Sequence, residues 1–185
     1  MSDWPLTLTT GELTLRPLRG RDRRKWLSVR ARNREWLQPW EATSPLAAEA
    51  RRPPTYFEMV TFHNREGRAG RSLSFAIWCA NQLIGQITLG GISYGAHRGA
   101  HIGYWIDQSY ANRGFMTAAV VEVTRFAFDE LQLHRIEIAL RPENSASKRV
   151  AEKAGYQFEG SRPRYLHIDG DWRDHIVFVR ENSKI

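Results

Sequence analysis

An α+β fold built on one mixed, mostly antiparallel sheet follows from three observations. Segments with strand periodicity outnumber helical ones and bracket one long amphipathic helix at residues 114–131. Turn signals at Asn81-Gln82 and Asp169-Gly170 join strands that are neighbours in sequence, which builds antiparallel pairs. The 185 residues, 42% hydrophobic and 25% charged, supply the core of one ordinary domain and leave little room for a second. The expectation is a single domain over residues 1–185, with roughly six to seven strands flanked by about four helices.

Residues 6–17 alternate as an edge strand, and the Arg16-Pro17 step ends it because proline cannot donate to a ladder. Residues 22–36 read as a helix in which Trp26, Leu27, Val29 and Trp36 interrupt a basic sequence. Pro39 stops it, so Trp36-Leu37-Gln38-Pro39-Trp40-Glu41 is a helix end leading into a loop. After the breakers Arg51-Arg52-Pro53-Pro54, a second helix runs from Thr55 to about Arg65, and Gly67 and Gly70 end it. Residues 73–80 and 83–89 form a hairpin, and residues 100–107 make a further strand rich in Ile, Tyr and Trp. The helix at 114–131 gathers Phe115, Ala119, Val123 and Phe126 on one face and Glu122, Arg125 and Asp129 on another. A strand at 134–140, a helix at 145–153 closed by Gly155, and strands at 162–168 and 172–180 complete the chain.

Composition excludes several classes. A single cysteine, Cys79, rules out a disulfide scaffold and a cysteine-rich zinc site. No apolar run approaches the ~20 residues that span a bilayer. Residues 1–20 carry charges and prolines where a secretory signal needs an apolar stretch, so a cytoplasmic protein without a membrane partner is expected. The net charge of +7 and pI near 10.0 fit an anionic partner. Only four of the 27 basic residues are lysines, and eight arginines fall between Arg16 and Arg34. That run reads as a solvated helix face rather than a direct reader of nucleic acid. His97 and His101 lack a nearby third ligand, so no metal site is expected.

The chemistry concentrates in two segments. In the first, the strand Ile102-Gly103-Tyr104-Trp105-Ile106 leads through a short turn to Arg113-Gly114-Phe115-Met116-Thr117, which opens the long helix. A helix start carries unpaired backbone N–H groups and a positive dipole end, and a glycine there lets a bulky anion such as a diphosphate approach. The second segment, about thirty residues on, is Asn144-Ser145-Ala146-Ser147-Lys148, followed by Gly155-Tyr156.

In this order and spacing the two segments resemble the acyl-CoA-binding core of the GNAT superfamily of N-acetyltransferases, most closely the RimJ/RimL type that acetylates the N-terminal amine of ribosomal proteins. The resemblance extends to Leu13-Thr14-Leu15-Arg16-Pro17-Leu18, to residues 33–45, and to Ile168-Asp169-Gly170-Asp171-Trp172-Arg173-Asp174-His175. The family's turn usually reads Gln/Arg-x-x-Gly-x-Gly/Ala. Here Ala111 stands at its first position and Met116 at its last, while Gly114 is retained.

The resemblance implies a GNAT fold and acetyl-CoA as cosubstrate. It places the pantetheine arm along the backbone of Trp105 and Ile106, and the pyrophosphate against Arg113, Gly114, Phe115, Met116 and Thr117. Asn144, Ser147 and Lys148 complete the cofactor-binding set. Asn144 is equally well suited to N-capping its own helix. The tyrosine that many relatives carry seven residues after this asparagine is Ala151 here, and Ser147 is the candidate proton donor to the thiolate, against a plain reading as a small helix-surface residue. Glu137 and His101 are the candidates for the general base. RimL-like enzymes carry a catalytic glutamate around Leu166, which this chain lacks.

Trp36 and Trp40, with Tyr165, are expected to wall the acceptor site. The expected acceptor is a protein N-terminal amine, such as that of a ribosomal protein. The alternatives are a small amine (aminoglycoside or polyamine) or a non-catalytic module with a CoA fold that binds RNA or the ribosome. Monomer and homodimer both remain open.

Overall fold

The computed structural model describes residues 4–46 and 54–185. The breaker segment Arg51-Arg52-Pro53 lies outside the described residues. The sheet has eight strands rather than six to seven, and five α-helices rather than about four accompany it.

Both differences arise near the N-terminus and both have local causes. The segment expected to be one edge strand is a hairpin of β1 (Leu8–Thr10) and β2 (Leu13–Arg16). Gly11 takes φ +55° between them, a left-handed conformation that reverses the chain and that an L side chain resists. The basic helix divides into α1 (Arg23–Arg32) and α2 (Arg34–Leu37) at Asn33, whose φ −107° and ψ 14° leave the helical region. The second helix, α3 (Tyr56–Arg68), starts where predicted with Thr55 and Glu58 forming a reciprocal cap, and it runs past Gly67.

The rest follows the predicted order: β3 (Leu73–Cys79), β4 (Gln82–Ser93), β5 (Gly99–Ile106), α4 (Phe115–Asp129), β6 (Arg135–Leu140), α5 (Ser145–Lys153), β7 (Gln157–Ile168) and β8 (Asp171–Glu181). β7 begins five residues before the predicted strand. It occupies the sheet's last position, where one side needs no partner and most of its residues stay exposed, so it carries no clean alternation to read.

The strand order is β1-β2-β3-β4-β5-β6-β8-β7, antiparallel throughout except for β5 and β6. That parallel pair is short, with register Gly99↔Arg135, Ala100↔Ile136 and His101↔Glu137 and nothing beyond. From there β5 stays with β4 through Ile87↔Tyr104, Gln86↔Trp105 and Gly85↔Ile106, while β6 stays with β8 through Ile138↔Phe178 and Leu140↔Ile176. A wedge opens between two half-sheets.

Each half-sheet is held by burial on its faces. α4 turns Ala119, Val120, Val123, Phe126 and Ala127 onto one face, where they pack with Ile102, Ile136, Ile138 and Leu140. Ala151 and Ala154 of α5 join the same cluster. On the opposite face Val29 of α1 and Tyr56 of α3 pack with Ala76, Trp78 and Leu83, and Trp105 lies against this second cluster. Among the described residues no helix is long and apolar enough to cross a membrane, and no three His, Cys, Asp or Glu residues are grouped to hold a metal ion.

A buried polar knot fixes the mouth of the wedge. Asn33, 1% exposed, donates its side-chain amide to the Val29 carbonyl (2.8 Å) and to Asp107 Oδ1 (3.1 Å), and accepts from the Gln108 N–H (2.9 Å). Arg32 donates to the other oxygen of Asp107. The knot ties the α1–α2 break to the residue that follows β5. Burial alone would raise the Asp107 carboxyl, but hydrogen bonds from Arg32, Asn33 and Ser109 outweigh it and hold the group below the usual carboxylate range.

Asn33→Ala removes three buried hydrogen bonds and is expected to lower the unfolding free energy by about 2–4 kcal/mol in urea titrations. Because the Asp107 pKa is depressed on folding, its contribution is present above the unfolded value of ~3.9 and is lost as pH falls through the lower folded value. Asp107→Asn should therefore reduce the loss of stability on acidification below about pH 4, measured by denaturant midpoint against pH.

Candidate active site

The wedge opens into a cavity of about 740 Å³ whose wall is drawn from five parts of the chain. α1 contributes Arg30; α2 and the loop after it contribute Trp36, Leu37, Trp40, Glu41 and Ala42; the end of β5 contributes Tyr104, Trp105 and Ile106; the start of α4 contributes Gly114, Phe115, Met116 and Thr117; and the start of α5 contributes Asn144, Ser145, Ala146 and Ser147.

At the α4 end, Gly114 is the N-cap with φ +79°, a conformation that favours glycine. The first amide to find a helical acceptor is Ala118, which donates to the Gly114 carbonyl (2.9 Å), and no side chain caps the turn. The N–H groups of Phe115, Met116 and Thr117 are therefore the open donors of the helix start. No acidic residue sits in that first turn to neutralise the dipole. A Cβ built on Gly114 would meet no atom within 4 Å, so the approach is unobstructed.

At the α5 end, Asn144 is an N-cap, as one of its two readings has it: its Oδ1 accepts the Ser147 N–H at 3.0 Å. Ser147 Oγ lies 2.8 Å from the Tyr104 hydroxyl, which also reaches the Ser147 carbonyl at 3.3 Å. Burial pushes the Tyr104 phenol up to about 12, against a smaller opposing pull from the Ser147 hydrogen bond, so it is a protonated donor at neutral pH. Strand periodicity explains its position, because Ala100, Ile102, Tyr104 and Ile106 all face the α4 cluster. Tyr104 was missed in the sequence; the signal that marks it is a hydroxyl at the tip of an otherwise apolar strand face.

At the loop end, the Trp36 indole donates to the Ile106 carbonyl (3.1 Å), a group on the edge that β5 turns toward the wedge. The Arg141 guanidinium lies 5.4 Å from the Trp40 ring centroid and donates to the Pro39 carbonyl (2.9 Å). The loop then pairs with the β7–β8 hairpin: Thr43 N–H donates to the His167 carbonyl (2.9 Å), Asp169 N–H to the Glu41 carbonyl (3.0 Å), and Ala42 forms a bridge with Ile168.

Of the residues singled out in the sequence, Trp36, Trp40, Trp105, Ile106, Gly114, Phe115, Met116, Thr117, Asn144 and Ser147 meet at this one cavity. Five others stand outside its wall. Arg113 lies over the Tyr110 ring (5.2 Å) and Lys148 pairs with Glu152 (3.9 Å). The Tyr165 hydroxyl takes a hydrogen bond from Arg162 (3.1 Å), and its ring packs on His175. Glu137 is bonded to Arg135 (3.0 Å) and Arg162 (2.9 Å); burial would raise its carboxyl, but the two guanidiniums hold it below the usual range. His101 stacks over Gly90 and Gly91, and burial pushes its imidazole down despite the nearby Glu137 charge. A carboxylate saturated by two arginines is a weak proton acceptor, and the geometry brings neither base candidate to the cavity.

Residues 12–157 match the family model described as the acetyltransferase (GNAT) domain. The chain belongs to the GNAT acetyltransferase family. The probable N-acetyltransferase YjcK of Bacillus subtilis is 34% identical to this acetyltransferase over 170 residues, 89% of this chain and 91% of the relative. The [ribosomal protein uS5]-alanine N-acetyltransferase of Escherichia coli is 28% identical over 173 residues, 92% of this chain and 88% of the relative. Among solved structures, Mycobacterium smegmatis RimJ in complex with CoA-disulfide superposes with a TM-score of 0.90 at 35% identity, covering 98% of this chain and 90% of that one.

The placement of Glu137 yields a direct test. Glu137→Gln should cost about 1–2 kcal/mol of stability near neutral pH by freeing two guanidiniums, while kcat/KM stays within about threefold. The stability deficit should vanish in acid, because the lowered native pKa contributes only above the unfolded value of ~4.3. A large loss of kcat at unchanged stability would return Glu137 to the chemistry.

Proposed function

We propose that this acetyltransferase moves the acetyl group of acetyl-CoA to the N-terminal α-amine of a protein, a ribosomal protein being the natural acceptor class, by direct attack within a ternary complex. The observation that carries the reading is the continuity of one cavity from the open amides of α4, past Ser147, to the tryptophan-walled loop.

The chain's own groups fit acetyl-CoA. A diphosphate suits the Phe115, Met116 and Thr117 amides at a positive helix end beside an unobstructed glycine. A pantetheine arm carries amides, and the β5 edge near Trp105 and Ile106 faces the wedge without a strand partner from β6. Acetyl-CoA supplies the activated thioester; everything else required is orientation, exclusion of water and proton handling.

Ser147 is the proposed proton donor for the departing thiolate. Tyr104 holds its hydroxyl at 2.8 Å and, with its phenol pushed up by burial, is protonated at neutral pH, so the pair forms a short relay able to restore the serine's proton. The acceptor side asks less of the protein. An α-amine titrates near ~8, far below lysine at ~10.4, so an appreciable neutral fraction exists close to neutrality and a water relay suffices to remove its proton.

Two relatives support the acceptor. The uS5-alanine enzyme is matched over 88% of its length, and M. smegmatis RimJ, solved in complex with CoA-disulfide, has the same fold.

Incubating the protein with acetyl-CoA and ribosomal proteins should yield an N-terminal mass increment of one acetyl group in mass spectrometry, localised by fragmentation to the first residue. Modification confined to lysine side chains or to small amines would overturn the acceptor assignment. Ser147→Ala should lower kcat about a hundredfold with acetyl-CoA affinity nearly unchanged, and Tyr104→Phe should lower the same parameter less. An unchanged rate in Ser147→Ala removes that residue from the proton relay.

A further inference from the structure

Resting on the proposed amine acetylation, we infer that Glu41 is the residue that recognises the acceptor's ammonium group. Two carboxylates line the cavity among the described residues, Glu41 and Glu143. Glu143 precedes the α5 cap and is paired with Arg141 (3.3 Å). Glu41 belongs to the loop end.

Its side chain pairs with Arg30, and Arg30 in turn lies 5.2 Å from the Trp105 ring centroid and 5.9 Å from that of Trp26. This stack carries the Glu41 carboxylate toward the side of β5 on which Trp105 faces, in the same cavity wall as Trp36. Trp36, Trp40 and Trp105 supply aromatic faces around it, and a cation is attracted both to such faces and to a carboxylate.

Two features make the residue a binding group and not only half of an ion pair. The Glu41 side chain keeps 42% of its surface exposed although its partner is largely covered, so acceptor lone pairs remain open to the cavity. Its backbone is also fixed independently of Arg30, through its carbonyl to the Asp169 N–H and through the bridge of Ala42 with Ile168. Arg30 then limits how strongly the carboxylate holds a cation, which suits a site that must release a proton from the amine before attack.

The chemical class recognised is a primary ammonium at the end of an extended chain. A neutral or acylated terminus forgoes the charge-assisted hydrogen bond, so the acetylated product is held there more weakly than the amine.

The test compares, by calorimetry in the presence of CoA, an accepted peptide with its analogue lacking the α-amino group. The wild-type protein should bind the amino peptide about tenfold or more tightly than the analogue, and Glu41→Gln should abolish that preference while leaving affinity for CoA unchanged and lowering the melting temperature only by the lost pairing with Arg30. In steady-state assays the same substitution should raise the peptide KM about tenfold with a smaller change in kcat. If Glu41→Gln retains the full preference for the amine, or loses CoA affinity in parallel, the assignment is overturned while N-terminal acetylation by the wild type still stands. If the wild type acetylates no peptide, the functional reading itself fails and this inference falls with it.

Discussion

The fold turns on a parallel strand pair that stops after three residues on each side. Hydrogen bonding normally favours zipping β5 and β6 to their ends, since an unpaired N–H or C=O away from water costs free energy. Here each strand is already committed elsewhere. β4 holds β5 through Ile106, β8 holds β6 through Leu140, and the two helices packed over one face share a single apolar cluster with both half-sheets. Backbone polar groups left facing the gap are available to a ligand with amides of its own, and one of them already takes the Trp36 indole.

Around that gap the charges are graded. At the α4 end the chain offers backbone amides and a helix dipole without any acid to quench it, which favours a polyanion. In the middle the groups are neutral hydroxyls, Ser147 and Tyr104, suited to passing a proton without holding charge. At the loop end an ion pair sits among indoles. A neutral middle keeps the diphosphate and the amine from competing for one subsite.

Much of this was legible in the residues because it is local. Open amides at a helix start need only a turn with Gly114, and the Asn144 cap needs only its own helix. The elements that escaped depend on partners far along the chain. Glu137 looks from its strand position like a base near the gap, but Arg162, on a different strand, claims its second oxygen. Glu41 gains meaning only when Arg30 stacks on Trp105, a contact that spans the sequence from α1 to β5. Gly11 is hard to read for another reason: Leu6 and Leu8 alternate before it and Leu13 and Leu15 after it, and only a one-residue change of phase marks the left-handed turn that splits the strand.

The order of the strands also governs when the molecule becomes complete. β8 follows β7 in the chain yet sits inside it in the sheet, joining β7 to β6. During synthesis, then, β6 presents a bare edge and β7 has no neighbour until residues 171–181 emerge. The loop carrying Glu41 to Thr43 leans on this same hairpin, so the loop end of the pocket depends on the last two strands of the chain. The residues of the diphosphate cradle, by contrast, all precede that hairpin in the chain.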